Sequence, residues 1–472
     1  MTIKSIVILL FYGLVSAALQ AQPADATLTA EVKTNTIAEI ARLLETNYIF
    51  PDKAEQTGKY LREQLQTNQL AGDTIPEFAQ SLTAAIQAVT NDKHLRVNPI
   101  PVAGTVPTKE QAIGYWQRSA DQRRTTNEGF IEVKVLPNNI GYLDFRFFAP
   151  PELGGSRADA AMQLLENTDA IIIDLRHNGG GNPAMVQYIC SYFFDKKILL
   201  NSLYWRANDQ TDEFWVLDEV NGKKRPDVPL FILTSKRTFS GAEEFTYNMQ
   251  TRERATIVGE TTGGGAHPGG GFVINDYYQM FIATGRAINP VTKTNWEGVG
   301  VIPDVQVSAD EALDKALTLA TEAVNERQAQ FKDRYTVIMS SVWDTVAQAE
   351  NLLQQGNQSA AEEIVTAALS NAIAEQVLVN DSILALGIEY RQRFNKPEVA
   401  KLLFNAGLEI DNRPALFHSE IANTCMEQQD FRNAAHHYEL AYAAAKKAEQ
   451  SPRFLTRLES QLTEAKSQIQ EE

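Results

Sequence analysis

The sequence predicts an α/β protein in three parts: a helical bundle, an α/β core and an all-α C-terminal region. Apolar residues recur at helical spacing near the N-terminus and again beyond residue 309. Between these regions, short apolar runs typical of strands alternate with helical segments, which indicates crossover connections. The chain has 472 residues, of which 44% are hydrophobic, so each part is long enough to bury a core of its own.

The first 21 residues are typical of an export signal. Lys4 supplies a positive charge, residues 6–19 form an apolar run, and Ala21 is a suitable cleavage point. A run this short does not comfortably span a bilayer, although a retained anchor is the alternative. We therefore expect a periplasmic or secreted protein without a stable membrane span after cleavage. The net charge of −16 repels a nucleic-acid backbone, so nucleic acid is not an expected partner.

Residues 22–97 predict a bundle of three helices. Ile37, Ile40 and Leu44 mark the apolar stripe of the first helix, and similar stripes follow in two later blocks. The breaks between them fall at residues 50–52 and 72–77, where proline and capping residues occur. Residues 98–128 carry prolines and then polar residues, so we expect a connector with little structure of its own.

Residues 129–308 predict the α/β core. Strands are expected at residues 130–135, 140–145, 170–175, 230–234 and 256–259, where apolar residues alternate or run continuously. Helices are expected at residues 159–167, 183–193 and 241–249. The alternation favours a sheet that is mostly parallel and covered by helices.

Residues 309–472 predict a helical region with an internal repeat. Ala400 aligns with Ala434 and Phe404 with Tyr438, an offset of 34 residues that is the tetratricopeptide period. A generic helical tail with accidental self-similarity is the alternative. If the repeat holds, its concave face suits a protein partner.

Ser240 lies in the stretch TSKRTFSGAEEF, between a predicted buried strand and a predicted helix. Two glycine-rich stretches flank it in sequence, DLRHNGGG at 174–181 and GETTGGGAHPGGG at 259–271. Neither has the spacing of a phosphate loop or of a dinucleotide turn. Glycines at such turns leave backbone N–H groups free to face a developing negative charge. Ser240 is therefore a candidate nucleophile, with a simple helix cap as the alternative.

In this order and at this spacing, the three stretches resemble the core of the tail-specific (C-terminal processing) serine peptidases. The resemblance covers residues 129–307, and the helical bundle is similar to that of the branch containing tricorn core protease and interphotoreceptor retinoid-binding protein. It implies a ClpP/crotonase-like α/β catalytic core and cleavage of peptides, or of protein C-terminal segments, through an acyl-enzyme. A non-proteolytic binding protein on the same fold, holding a hydrophobic ligand or a peptide, is the alternative function.

The resemblance also bears on the base that activates Ser240. Members with a Ser-Lys pair carry a lysine in the second glycine-rich stretch, where this chain has Gly265. The tricorn-like branch implies a Ser-His-Glu arrangement instead, which matches Ser240, His94 and Glu297. His267, His177 and a site without a catalytic histidine are the alternatives.

Backbone N–H groups of Gly241 and Gly180 are the expected oxyanion donors. The sequence implies no metal and no cofactor, because it has no HExxH motif and its histidines do not pair at ligand spacing. The expected partner at the site is a peptide or protein substrate.

Overall fold

The computed structural model describes residues 28–100 and 109–471, so the predicted export signal lies outside the described residues. Three helices open the described chain, α1 (Ala30–Asn47), α2 (Pro51–Gln66) and α3 (Ile75–Thr90). Proline at the first position starts α2, and a capping box between Thr74 and Glu77 starts α3. The predicted bundle of three helices is confirmed.

The segment predicted as an unstructured connector contains a helix, α4 (Lys109–Thr125), so that prediction was wrong for this part. Lysine, glutamate, glutamine, alanine and arginine fill most of α4, and these residues favour a helix without needing a buried face. Ile113 and Trp116 on this helix are exposed. A helix without an apolar stripe has no periodicity by which the sequence could reveal it.

The described residues form three sheets. In chain order their strands are β1 (Val97–Pro99), β2 (Phe130–Leu136), β3 (Ile140–Phe145), β4 (Ala170–Asp174), β5 (Leu199–Trp205), β6 (Gln210–Trp215), β7 (Leu230–Thr234), β8 (Thr256–Gly259), β9 (Gly269–Val273), β10 (Tyr278–Ala283), β11 (Gly285–Ile288) and β12 (Val305–Gln306). The largest sheet has six strands in the order β12-β8-β7-β4-β3-β2, and all neighbours in it are parallel except β2 and β3. The five predicted strands are β2, β3, β4, β7 and β8.

Helices cover both faces of the large sheet. On one face lie α5 (Pro151–Leu164), α6 (Pro183–Ser191) and α7 (Gly241–Gln250), which pack against Ile171 and Ile173 of β4. On the other face, the start of the long helix α8 (Ala312–Gln354) packs against alternate strand residues such as Ile172. Burial on two faces explains the continuous apolar runs of these strands.

Helix α5 begins eight residues before the predicted start at Asp159. Its first turns contain Gly154 and Gly155, which are poor helix formers and hid the pattern. A Cβ atom at Gly154 would lie 3.1 Å from the Cβ of Ala149 and 3.2 Å from the Cε of Met185. The glycine therefore serves close packing rather than a turn.

The N-terminal helices rest on the antiparallel sheet β1-β10-β9. Leu82 and Ile86 of α3 share a buried core with Tyr278 and Ile282 of β10. The other small sheet, β11-β5-β6, is also antiparallel. Because β1 follows α3 directly, the loop between them is fixed beside the sheets of the core.

The chain divides after Glu326 into two compact units, and the second is helical throughout its described residues. After α8 come α9 (Gln358–Ala374), α10 (Asn380–Gln392), α11 (Pro397–Ile410), α12 (Pro414–Glu427), α13 (Phe431–Lys447) and α14 (Pro452–Glu471). Helices α10 and α12 begin 34 residues apart, as do α11 and α13. None of the helices among the described residues combines the length and the apolar composition that a bilayer crossing needs.

Candidate active site

Three loops meet where the parallel strands β4, β7 and β8 end. Strand β7 lies between the other two, so the turn containing Ser240 is flanked in space by the two glycine-rich stretches. The carboxyl ends of parallel strands form the edge at which α/β sheets place their sites. The topology therefore brings together the three motifs that the sequence singled out.

Ser240 adopts a strained backbone conformation, with φ 54° and ψ −121°. Positive φ is uncommon for a residue with a side chain, and it persists only where surrounding contacts impose it. Ser240 directly precedes α7, and its N–H donates to Glu243 Oε2 at 2.9 Å. Strained residues of this kind cluster at active sites, and Ser240 is partly exposed at the start of a helix, so it stays a candidate nucleophile.

Glu243 joins the serine turn to the second glycine-rich stretch. Its carboxylate is buried and accepts hydrogen bonds from the N–H groups of Gly264 and Gly265 at 2.6 and 2.8 Å, and from the Thr262 hydroxyl. Burial raises the pKa of Glu243 to about 7, against the opposing effect of these hydrogen bonds. Sequence reasoning missed this residue, although the Ser-x-x-Glu spacing of a capping box was its signal.

Glu244, the next residue of α7, is buried away from this network, and burial raises its pKa to about 7, well above the usual range of a glutamate side chain. A raised carboxyl pKa contributes stability below about pH 4.5 that is lost as the pH rises through 7. As the pH rises from 5 to 8, the free energy of unfolding of Glu244→Gln should therefore increase relative to that of the parent protein, by on the order of 3 kcal/mol. Urea unfolding at both pH values measures this, and a difference that does not change with pH contradicts it.

The first glycine-rich turn packs directly against the serine turn. A Cβ atom at Gly180 would lie 2.7 Å from Gly241 N and 2.9 Å from Ser240 Cβ, and Gly180 has φ 104°. The Gly180 N–H, predicted as an oxyanion donor, donates to Asn178 Oδ1 at 2.8 Å. To stabilise an oxyanion it would have to exchange this hydrogen bond. The Gly241 N–H, at the first position of α7, donates to no residue that the structure describes.

Gly180→Ala should lower the free energy of unfolding by about 2–4 kcal/mol, since the methyl group meets backbone atoms and the φ angle disfavours alanine. Gly179→Ala is the matched control, because a Cβ atom there has no neighbour within 4 Å. Chemical denaturation of the two variants makes the comparison. Equal stability of both would contradict the tight packing of the two turns.

His94 lies in the loop between α3 and β1, where its side chain is 1% exposed. Its ring centroid is 4.7 Å from that of Phe239, the residue before Ser240. The neighbouring Lys93 donates from Nζ to Gly263 O at 2.5 Å and so holds this loop against the second glycine-rich stretch. The structure therefore brings His94 from the N-terminal bundle to the serine turn.

Two carboxyl groups and a second histidine form a connected cluster with His94. Asp92 Oδ1 is 3.6 Å from His94 Nδ1, and Asp92 Oδ2 is 3.2 Å from His267 Nδ1. Glu297 Oε2 is 3.3 Å from His267 Nδ1 and accepts the Ala266 N–H at 2.6 Å. One potential ligand atom from each of Asp92, His94 and Glu297 lies within 4.8 Å of the other two.

The two carboxyl groups differ in their protonation. Burial disfavours ionised Asp92, but His267 and His94 beside it outweigh burial and hold its pKa below the usual range. Burial raises the pKa of Glu297 to about 8, and the nearby charge of Asp92 adds to this effect. Two carboxyl groups in one site commonly separate in this way, and they titrate as a pair.

Of the candidate histidines, His94 and His267 enter this cluster, whereas His177 is exposed on the first glycine-rich turn. Glu297 enters it as well, through a contact with His267. Asp92 was missed, although it lies two residues before His94. The signal was available in the sequence NDKHLRV, where an acidic residue precedes a candidate base.

Comparison with known protein families identifies two domains in the chain. The sequence model of Peptidase family S41 matches residues 139–307. Residues 139–307 are a peptidase family S41 domain. The model of the N-terminal domain of Peptidase_S41 in eukaryotic IRBP matches residues 16–135, which include the helical bundle.

A curated relative is the chloroplastic carboxyl-terminal-processing peptidase 2 of Arabidopsis thaliana. It is 26% identical over 167 residues, which are 35% of this chain and 31% of the relative. The chain thus spans less than a third of that protein's length.

Similar solved structures include mature CPAF complexed with lactacystin, at 11% identity over 63% of this chain and all of that one, with a TM-score of 0.45. The photosystem II D1 C-terminal processing protease is 14% identical, and the match covers 60% of this chain and 94% of that one with a TM-score of 0.37. The tricorn protease is 13% identical, and the match covers 62% of this chain and 37% of that one with a TM-score of 0.39. Likenesses at these TM-scores carry no argument about residues.

Proposed function

We propose that this protein is an exported serine-type peptidase that cleaves peptides or protein C-terminal segments through an acyl-enzyme. Ser240 is the nucleophile, His94 is the base, and Glu297 is the acidic member of the arrangement. The S41 domain supports the reaction class. The export signal in residues 1–21 supports a periplasmic or secreted location.

The observation that carries the proposal is the packing around Gly265. A Cβ atom at this position would lie 2.3 Å from Phe239 Cζ and 2.6 Å from His94 Cε1. In the Ser-Lys members that the sequence resembles, the base lysine stands at the matching position. Here the imidazole of His94 and the ring of Phe239 fill the space in which a lysine side chain would begin. In this proposal His94 takes the chemical role of that lysine.

The roles follow from ordinary acyl-transfer chemistry. His94 removes the proton of the Ser240 hydroxyl while its oxygen attacks the scissile carbonyl. The protonated imidazole then gives this proton to the leaving amine, and water hydrolyses the ester by the same sequence. A carboxylate beside His94 orients the ring and stabilises the imidazolium. Asp92 Oδ1 lies 3.6 Å from His94 Nδ1, and a carboxylate oxygen of Glu297 lies within 4.8 Å of a His94 ring nitrogen.

The oxyanion donors in this proposal are the N–H groups of Gly241 and Gly180. The first is supported by its position at the start of α7, where the helix dipole favours negative charge. The second is supported by the contact of its turn with Ser240 and Gly241. Each such donor is typically worth about 3–4 kcal/mol in the transition state.

Incubation of the purified chain with a short unstructured polypeptide tests the proposal, with mass spectrometry of the products. We expect new termini that form with the parent protein and are absent with Ser240→Ala. Retention of intact polypeptide by both, with measurable binding, would favour the non-proteolytic alternative. The partner surface predicted on the C-terminal helices stays a prediction.

A further inference from the structure

Beyond its peptidase role, the buried cluster beside Ser240 has the composition of a metal site. Asp92, His94 and Glu297 contribute two carboxylates and one imidazole, which are the donor types that bind Zn²⁺. Their side chains are 1%, 1% and 15% exposed. Three protein ligands and a fourth open position are the usual arrangement of a reactive zinc site. We infer that this cluster binds one Zn²⁺ ion reversibly and that the bound ion inhibits the peptidase.

The distances suit a tetrahedral ion. Zinc–ligand bonds of about 2.0–2.2 Å give separations of roughly 3.3–3.6 Å between ligand atoms. His94 Nδ1 and Asp92 Oδ1 are 3.6 Å apart, and the three ligand atoms all lie within 4.8 Å of one another. Binding therefore requires a contraction of no more than about 1.5 Å for the widest pair. Small side-chain rotations supply a movement of this size.

The charge distribution also favours a cation. Two carboxyl groups are buried together, and their ionised forms repel each other in a medium of low dielectric constant. Glu297 Oε1 is buried and accepts no hydrogen bond from the described residues. A divalent ion would neutralise the pair and bind this oxygen.

Neighbouring groups already orient the proposed ligands. His267 Nδ1 lies 3.2 Å from Asp92 Oδ2 and 3.3 Å from Glu297 Oε2. The Tyr48 hydroxyl donates to Asp92 Oδ2 at 3.3 Å, and the Ala266 N–H donates to Glu297 Oε2. Hydrogen bonds of this kind fix metal ligands in established sites and raise their affinity. The mixture of imidazole and carboxylate favours Zn²⁺ over Ca²⁺ or Mg²⁺, which prefer oxygen ligands.

Inhibition follows from proton positions, and this part rests on the proposed function. A neutral imidazole that binds zinc through Nδ1 carries its proton on Nε2. Nε2 then donates a hydrogen bond and has no lone pair with which to accept the Ser240 proton. The ion also occupies the carboxylates that would stabilise an imidazolium. Removal of the ion restores the base.

A direct measurement of zinc binding tests the metal site independently of peptidase activity. The full chain, freed of metal with a chelator, is titrated with Zn²⁺ against a chromophoric zinc indicator. We expect one tight equivalent, weakened at least 10-fold by Asp92→Asn and by Glu297→Gln. His177→Gln and His437→Gln are controls that remove histidines outside the cluster and should bind as the parent does. Circular dichroism confirms that each variant is folded.

Two further measurements keep both parts of the inference testable. Co²⁺ added to the unaltered chain should give the visible absorption of a tetrahedral site, which needs no variant to fold. Zn²⁺ should slow peptide hydrolysis at least 10-fold, with recovery after chelation. No tight equivalent, or equal affinity in both ligand variants, overturns the site. Zinc bound in the cluster without loss of hydrolysis overturns the inhibition, whereas binding in a chain that never cleaves peptide leaves the site standing and contradicts the proposed function.

Discussion

Ser240→Ala is expected to reduce peptide hydrolysis by at least about 10⁴-fold, because no other hydroxyl takes over the attack on the carbonyl. The same variant should unfold within about 1 kcal/mol of the parent protein. The hydrogen bond that holds the turn runs from the Ser240 backbone N–H to Glu243 Oε2. It does not involve the serine hydroxyl, so alanine at position 240 can also form it. Measurement of kcat/KM together with urea unfolding checks both expectations.

Ser156→Ala is a suitable control, since Ser156 is exposed on α5 in the same core. It should retain hydrolysis within about twofold, as surface substitutions usually do. Full activity of Ser240→Ala would remove Ser240 from the role of nucleophile. Loss of activity together with a large loss of stability would indicate a structural role in the turn.

His94→Gln is expected to lower kcat/KM by about 10³-fold or more, because glutamine cannot accept the Ser240 proton. The substitution keeps a polar side chain of similar length beside Phe239, so the fold should survive. Peptide hydrolysis under single-turnover conditions measures the loss in the acylation step.

Two other histidines serve as comparisons. His267→Gln should cost about 10-fold, because His267 contacts the carboxylates of Asp92 and Glu297 rather than Phe239. His177→Gln, on the exposed turn, should be neutral. A near-normal rate for His94→Gln with a severe loss for His267→Gln would move the base to His267.

The central strands of the core could be predicted because burial on both faces gives them continuous apolar runs, as in Ile171 to Ile173 of β4. The hairpin of β5 and β6 was not predicted, since most of β6 is exposed and carries polar residues. Helix α4 was not predicted for the same reason. Periodicity reports burial, and elements without a consistently buried face leave no pattern.

The site was predicted in part. Motif spacing identified Ser240 and the two glycine-rich turns, because each of the three lies in a loop that directly follows a strand of the large sheet. The surroundings of His94 depend on tertiary packing: His267 reaches Asp92 from 175 positions along the chain. No spacing rule finds such a pair. The grouping of Asp92, His94 and Glu297 likewise depends on tertiary packing, and no spacing in the sequence indicates it.

The most direct test of the central claim is reaction with a fluorophosphonate probe, followed by peptide mapping. An activated serine reacts with the probe, whereas a serine that only caps a helix does not. We predict one adduct per chain on Ser240, formed at least 100-fold more slowly in His94→Gln than in the parent protein. The absence of an adduct on Ser240, or the same labelling rate in His94→Gln, would contradict the account.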